Sequence, residues 1–276
     1  MIRRMAMLVA VALMATATPA LAGEAEMAAA LLAAEAAGRP IPMLSKAHPE
    51  LDLAAAYRVQ RAYVERRLEG DAIAGFKAGL TGTLGQLWFG VGEPLSGVLF
   101  ASGRGGDGAL IDLGDYRRLI VETEIAFVAG ARIAAPIGDV AALRPLIRAV
   151  APAIEMPEGG FTNPRGAKAV DLVAANVSAA VFLVGAERPA SDFDLGGLAV
   201  TLTAGGREVS AGEGADVMGD PWAAALWLVN AAVARGWSVE PGHVLSTGVI
   251  GKRVEAEPGR YRADFGALGS LTFELR

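Results

Sequence analysis

The 276-residue chain has no cysteine, which excludes disulfides and thiolate-held zinc or iron–sulfur centres and leaves stability to packing and to any bound ion. Histidine is almost as scarce, with only His48 and His243 present, so the oxygen ligands of Asp and Glu are the main resource for holding a metal. A basic excess is also missing. Lys and Arg number 25 against 30 Asp and Glu, for a net charge of −5, and a nucleic-acid partner is therefore not expected. No internal repeat or low-complexity linker is visible, and no apolar run in the mature chain suggests a membrane span.

What is present is a turn-rich, apolar sequence. Hydrophobic residues make up 53%, with 35 Gly and 14 Pro, and the length suffices for a substantial core. The start is distinct: Met1-Ile2-Arg3-Arg4, an apolar stretch from Met5 to Ala15, then Ala20-Leu21-Ala22 before Gly23. This is the pattern of a secretory signal over residues 1–22, cleaved near Ala22/Gly23, which implies a periplasmic or secreted mature protein of residues 23–276. An uncleaved N-terminal helix, or translation beginning near Met27, is the alternative.

Helices are expected first. Residues 24–36 are rich in Ala, Glu and Leu and stop at Gly38-Arg39-Pro40, and Leu53, Ala56, Tyr57, Gln60, Tyr63, Val64 and Leu68 recur at helical spacing up to Gly70. The outer face of that second helix carries Arg58, Arg61, Arg66 and Arg67 and reads as solvated. A strand across 72–82 follows, with a short helical turn at 84–89, a surface turn at 103–108 and a short helix over 141–150. Lys168, Asp171 and Asn176 fall in a stretch leading into a strand at 179–184. Later come a hairpin across 204–206, a helix from Pro221 to Arg235, and strands near 244–247 and 271–275. The order of helices first and strands after is that of one α+β unit with a helical N-terminal part, 23–70.

The chemistry is concentrated in Leu119 to Val128, an apolar strand-like run holding Glu122 and Glu124. Side chains alternate along a strand, so these two carboxylates share a face roughly 7 Å apart. In so apolar a setting they must be solvated, protonated or neutralised by a cation. Glu155, in the apolar run Ala151 to Glu155, is a candidate third ligand, and three carboxylates favour Mg²⁺ or Mn²⁺ over zinc. Taken singly, each glutamate also fits an exposed strand. Lys77, between Phe76 and Ala78, either snorkels outward or serves as a buried positive charge beside an anion.

These segments together resemble a family. Ala56-Tyr57-Arg58-Val59-Gln60, Gly75 to Thr81, Val121 to Ala126, Pro152 to Glu155, Lys168 to Asn176, Gly219-Asp220-Pro221, Trp227 to Asn230 and Pro241 to Gly248 are similar, in the same order, to the 2-keto-4-pentenoate hydratases and 4-oxalocrotonate decarboxylases of the fumarylacetoacetate hydrolase superfamily. The resemblance implies a β-rich mixed-sheet body holding Mg²⁺ or Mn²⁺ through Glu122, Glu124 and Glu155, with Lys77 as the catalytic acid or electrostatic partner. It also implies that Lys168, Asn176, Thr247 and Gly248 contact a small 2-keto acid or dienoate, and that the chain forms a homo-oligomer. The implied activity is hydration of a 2-hydroxydienoate or 2-keto-enoate. Decarboxylation of a 2-oxo-enedioate and non-catalytic periplasmic binding of a metal and a keto acid are the alternatives. Three positions depart from the family pattern: Leu95 and Ala175 replace acidic residues, and Val249 replaces a serine.

Overall fold

The computed structural model describes residues 19–276. The signal expected over 1–22 therefore lies almost wholly outside the described residues. Helices α1 (Pro19–Ala36), α2 (Leu44–Ala47) and α3 (Leu53–Arg67) come first. Asp52 caps α3 by accepting a hydrogen bond from the Ala55 N–H, which satisfies one of the otherwise free donors at a helix start. Packing of α1 on α3 is reinforced by ion pairs of Arg58 with Glu24 and of Arg67 with Glu35. The basic face of α3 is thus engaged rather than merely solvated. Arg61 lies over the Trp237 ring, and Arg67 over Phe100.

The body alternates strands with short helices: β1 (Ile73–Gly79), α4 (Thr83–Phe89), β2 (Leu95–Phe100), β3 (Arg104–Gly106), β4 (Ala109–Ile111), β5 (Ile120–Ala129), α5 (Val140–Leu143) and β6 (Ile147–Met156). It continues with α6 (Ala169–Ala174), β7 (Val181–Val184), β8 (Ala199–Ala204), β9 (Arg207–Glu213), α7 (Pro221–Ala234), β10 (Val244–Ser246), β11 (Ile250–Glu255), β12 (Gly259–Asp264) and β13 (Ser270–Leu275). One mixed sheet runs β2-β1-β10-β5-β6-β7-β3, with β11 also pairing β5, and a second runs β4-β13-β12-β8-β9. This is a mixed α/β architecture with helices ahead of a strand-rich body. Helix α7 is set by Asp220, whose side chain accepts from the Trp222 N–H, with Pro221 at the first helical position.

Two local expectations are corrected, and two gaps in the sequence reading are filled. Residues 104–106 are an edge strand beside β7, not part of a turn. The helix expected over 141–150 is only α5, because Ile147 onward pairs with β5. Within the stretch from Lys168 to Asn176, Ala169–Ala174 form α6, with Asp171 accepting from the Lys168 backbone N–H. Strands β11 and β12 have no counterpart among the elements expected from sequence.

The centre of the larger sheet is dry. Every residue of β5 is buried, and so is all of β6 except Arg148. Near β1 the chains approach so closely that a methyl group at Gly75 would lie 1.9 Å from the Val244 carbonyl oxygen, so only glycine lets β1 and β10 pair there.

Candidate metal centre and active-site cleft

Register, more than sequence spacing, assembles the site. In the antiparallel pair β5·β6, Glu122 stands directly opposite Glu155, the arrangement that brings cross-strand side chains closest. Glu124 shares their face two residues along β5. The parallel pair β1·β10 aligns Lys77 with Ser246, and β10 lies against β5. Strands β1, β10, β5 and β6 therefore present one lysine, one serine and three glutamates to the same spot.

Each of the three carboxylates offers an oxygen within 4.8 Å of the other two. Glu124 and Glu155 are fully buried, and Lys77 is 2% exposed. Lys77 Nζ is 2.6 Å from Glu155 Oε2, and Arg253 Nε donates to Glu122 Oε1 at 2.7 Å. Glu124 Oε2 accepts from the Ser246 hydroxyl and from the Gly248 N–H at 2.9 Å. Glu124 Oε1 and Glu155 Oε1 are buried with no hydrogen-bond partner. Burial raises the Glu124 carboxyl to about 7; the nearby Glu122 charge adds to the rise, while Lys77, Ser246 and Gly248 oppose it. Glu155 is raised too, chiefly by burial and only partly offset by Lys77.

Orphaned anionic oxygens in a dry pocket are costly, and a dication is the partner that answers them. When all three carboxylates are ionised, as metal ligands must be, they exceed the single charges of Lys77 and Arg253 by one. The cluster therefore fits a hard divalent ion with oxygen ligands.

The site opens into a cleft of about 910 Å³ lined by Lys77, Leu80, Phe89, Glu122, Phe161 and Leu172, among others. Thr81 and Ser178 also line it, and their buried hydroxyls lack partners. Nothing in the sequence marked these two, because a lone Ser or Thr carries no pattern. Ser178 ends a run of three residues, Asn176 to Ser178, all with positive φ, an uncommon conformation for side-chain-bearing residues. Arg253 was likewise missed, since it belongs to the unexpected strand β11.

The remaining expected site residues take other positions. Lys168 is exposed at the start of α6 and borders a separate groove with Ser45 and Leu51. Asn176 is turned to the backbone of β2, its Oδ1 accepting from the Val98 N–H and its Nδ2 donating to the Val98 carbonyl. The Thr247 hydroxyl donates to the Ile125 carbonyl. Gly248 acts through its N–H on Glu124. With φ at +110° and no room for a methyl group beside Thr81 Oγ1, 2.2 Å away, that position requires glycine. Neither histidine lines the cleft: His48 pairs with Glu50, and His243 Nδ1 accepts from the Glu240 N–H while the ring packs on Phe76.

A buried carboxylate trio that could hold a metal, beside a lysine, with Lys77 and Glu122 lining a cleft in a mixed sheet, fits an enzyme of small oxygenated substrates. No family model matches the chain. The 2-keto-4-pentenoate hydratase of Burkholderia vietnamiensis is 36% identical over 251 residues, covering 90% of this chain and 95% of that one. The 4-oxalocrotonate decarboxylase of Pseudomonas sp. strain CF600 is 31% identical over 225 residues, covering 79% and 83%. Among solved structures, 4-oxalocrotonate decarboxylase from Pseudomonas putida G7, complexed with magnesium and adipate, superposes with a TM-score of 0.87 at 28% identity, over 95% of this chain and 99% of that one. The chain belongs to the hydratase and decarboxylase family these proteins represent, within the fumarylacetoacetate hydrolase superfamily.

Proposed function

We propose that the protein is a metal-dependent hydro-lyase that adds water to a small 2-hydroxy-2,4-dienoate, giving a 4-hydroxy-2-oxo acid. The observation that carries this is the convergence of Glu122, Glu124, Glu155 and Lys77, two of which line the cleft, joined to the similarity to hydratases over nine-tenths of the chain. Mg²⁺ or Mn²⁺, held by the three glutamates, would supply positive charge against the oxygens of a 2-oxo or 2-enol acid. Lys77 Nζ would hold a proton and pass it to the conjugated chain. Ser246 and the Gly248 N–H fix Glu124, and Arg253 fixes Glu122, so the carboxylates are pre-set rather than reorganised on binding. Leu80, Phe161 and Leu172 give the cleft apolar surface for the carbon chain of the substrate. Protein supplied with Mg²⁺ should bleach the dienol absorbance of 2-hydroxypenta-2,4-dienoate, and absence of turnover on any dienoate refutes the reading.

Decarboxylation of a 2-oxo-enedioate is the second reading, supported by the close superposition on a 4-oxalocrotonate decarboxylase; carbon dioxide release from that substrate distinguishes it. The sequence pattern of residues 1–22 supports export to the periplasm, which fractionation of the producing cell tests. Exposure of Leu84, Leu87 and Trp88 on α4 supports association with further copies of the chain, to be read by analytical ultracentrifugation.

A further inference from the structure

The cleft is far larger than the substrate its family name suggests. A five-carbon dienoate occupies on the order of 200 Å³ if each heavy atom is allotted about a water's share of liquid volume. The cleft measures about 910 Å³, near the upper end of the range that buries drug-sized ligands. Its chemistry is not uniform. The floor carries Lys77 and Glu122, both buried, and beside them runs an apolar arm of Leu80, Phe89, Phe161, Leu172 and Val249, of which Phe161 is buried and the others are partly exposed.

Charge at the mouth is mostly spent. Arg118 pairs with Glu255, and Arg253 with Glu122. Arg165 alone among the cleft's arginines has no ion-pair partner among the described residues, and it sits exposed on the 3-10 turn Pro164–Gly166. Apart from the Thr81 and Ser178 hydroxyls, the lining between the buried pair and the rim is mainly apolar. A chain that reaches outward from the floor must therefore be apolar to gain from the contact.

Resting on the proposed reading of the floor, we infer that the natural substrate is a 2-hydroxydienoate or 2-oxo-enoate bearing a bulky apolar tail, aryl or branched alkyl, on its far end. The acid and oxo groups sit at the floor and the tail fills the arm between α4 and α6. Val249, at the position where the family often has serine, extends the apolar wall. A second carboxylate at the far end would meet these side chains for most of its path and find only Arg165 at the rim.

The test uses unreactive 2-oxo acids, so binding is read apart from turnover. Mg²⁺-loaded protein is titrated by calorimetry with 2-oxobutanoate, 2-oxo-4-phenylbutanoate and 2-oxoadipate. The phenyl compound should bind at least tenfold more tightly than 2-oxobutanoate. Leu172→Asp and, separately, Phe89→Ala should each cut that ratio to about twofold or less; the second variant secures the test if the first does not fold. If 2-oxobutanoate binds but the phenyl group adds nothing, the inference fails while the reading of the floor stands. Tightest binding of 2-oxoadipate, lost in Arg165→Ala, overturns it in favour of a diacid. A tail advantage unaffected by both arm variants also overturns it. If none of the acids binds, the inference and the proposed function fall together.

Discussion

Replacing Glu124 by glutamine should make the metal-free protein more stable at alkaline pH while destroying its capacity for a divalent ion. Glu124 is wholly buried and its carboxyl is raised from an ordinary 4.5 to about 7. A carboxyl with a raised folded-state value contributes its full stability below the unfolded value, and that contribution is lost as pH rises from 4.5 through about 7. Each tenfold difference in proton affinity between the folded and unfolded chain is worth roughly 1.4 kcal/mol, so the loss by pH 8 is about 3 kcal/mol. Glutamine carries no charge to desolvate, and its carbonyl oxygen can still accept from Ser246 and the Gly248 N–H. For a chain of this size about 3 kcal/mol corresponds to a Tm difference of roughly 6–12 °C. Thermal unfolding in excess chelator, followed by circular dichroism at pH 5 and pH 8, reads it directly: E124Q should exceed the wild type at pH 8 and match it within about 2 °C at pH 5. A variant less stable than wild type at pH 8, or a difference that does not change with pH, refutes the assignment of Glu124 as a strained, charge-burying ligand.

Metal uptake should release protons and weaken as pH falls through about 7, because raised carboxyls must ionise before they ligate; calorimetry in buffers of different ionisation enthalpy measures both effects. Lys77→Met removes the one cation buried against Glu155 and should lower metal-free stability by about 3–5 kcal/mol, as one-sided removal of a buried ion pair does. Added Mg²⁺ should recover part of that Tm loss but not turnover, and an unchanged turnover number would remove Lys77 from the chemistry. Gly248→Ala places a methyl group against Thr81 and forces a left-handed conformation. It should cost about 1–3 kcal/mol and weaken Mg²⁺ binding through the displaced Glu124, whereas unaltered metal affinity would show that the Gly248 N–H does not position the carboxylate.

The part of the site that lies along single strands was legible in the sequence. Glu122 and Glu124 share a face by alternation alone, and Lys77 and Glu155 stand out as charges in apolar runs. Their meeting was not legible, since it depends on register between β5 and β6 and on parallel pairing of β1 with β10, neither of which has a local signature. Strand β11 was invisible because Lys252, Arg253 and Glu255 give it the composition of a loop, and with it went Arg253. Lys168 and Asn176 were chosen by family pattern, yet the first is exposed at a helix start and the second has its amide committed to β2. Polar residues that brace a backbone and those that meet a ligand look alike until their partners are known.

The side-by-side alignment of β1 with β10 also bears on how the chain acquires its structure. Lys77 and Ser246 come from opposite ends of the body, and such distant partners pair slowly because a long loop must close first. The ion site is thus complete only when the last strands have joined the first, which makes cation uptake during refolding a clock for the final stage of maturation. Chains halted before Val244 would be expected to carry the acidic strands yet remain deaf to magnesium.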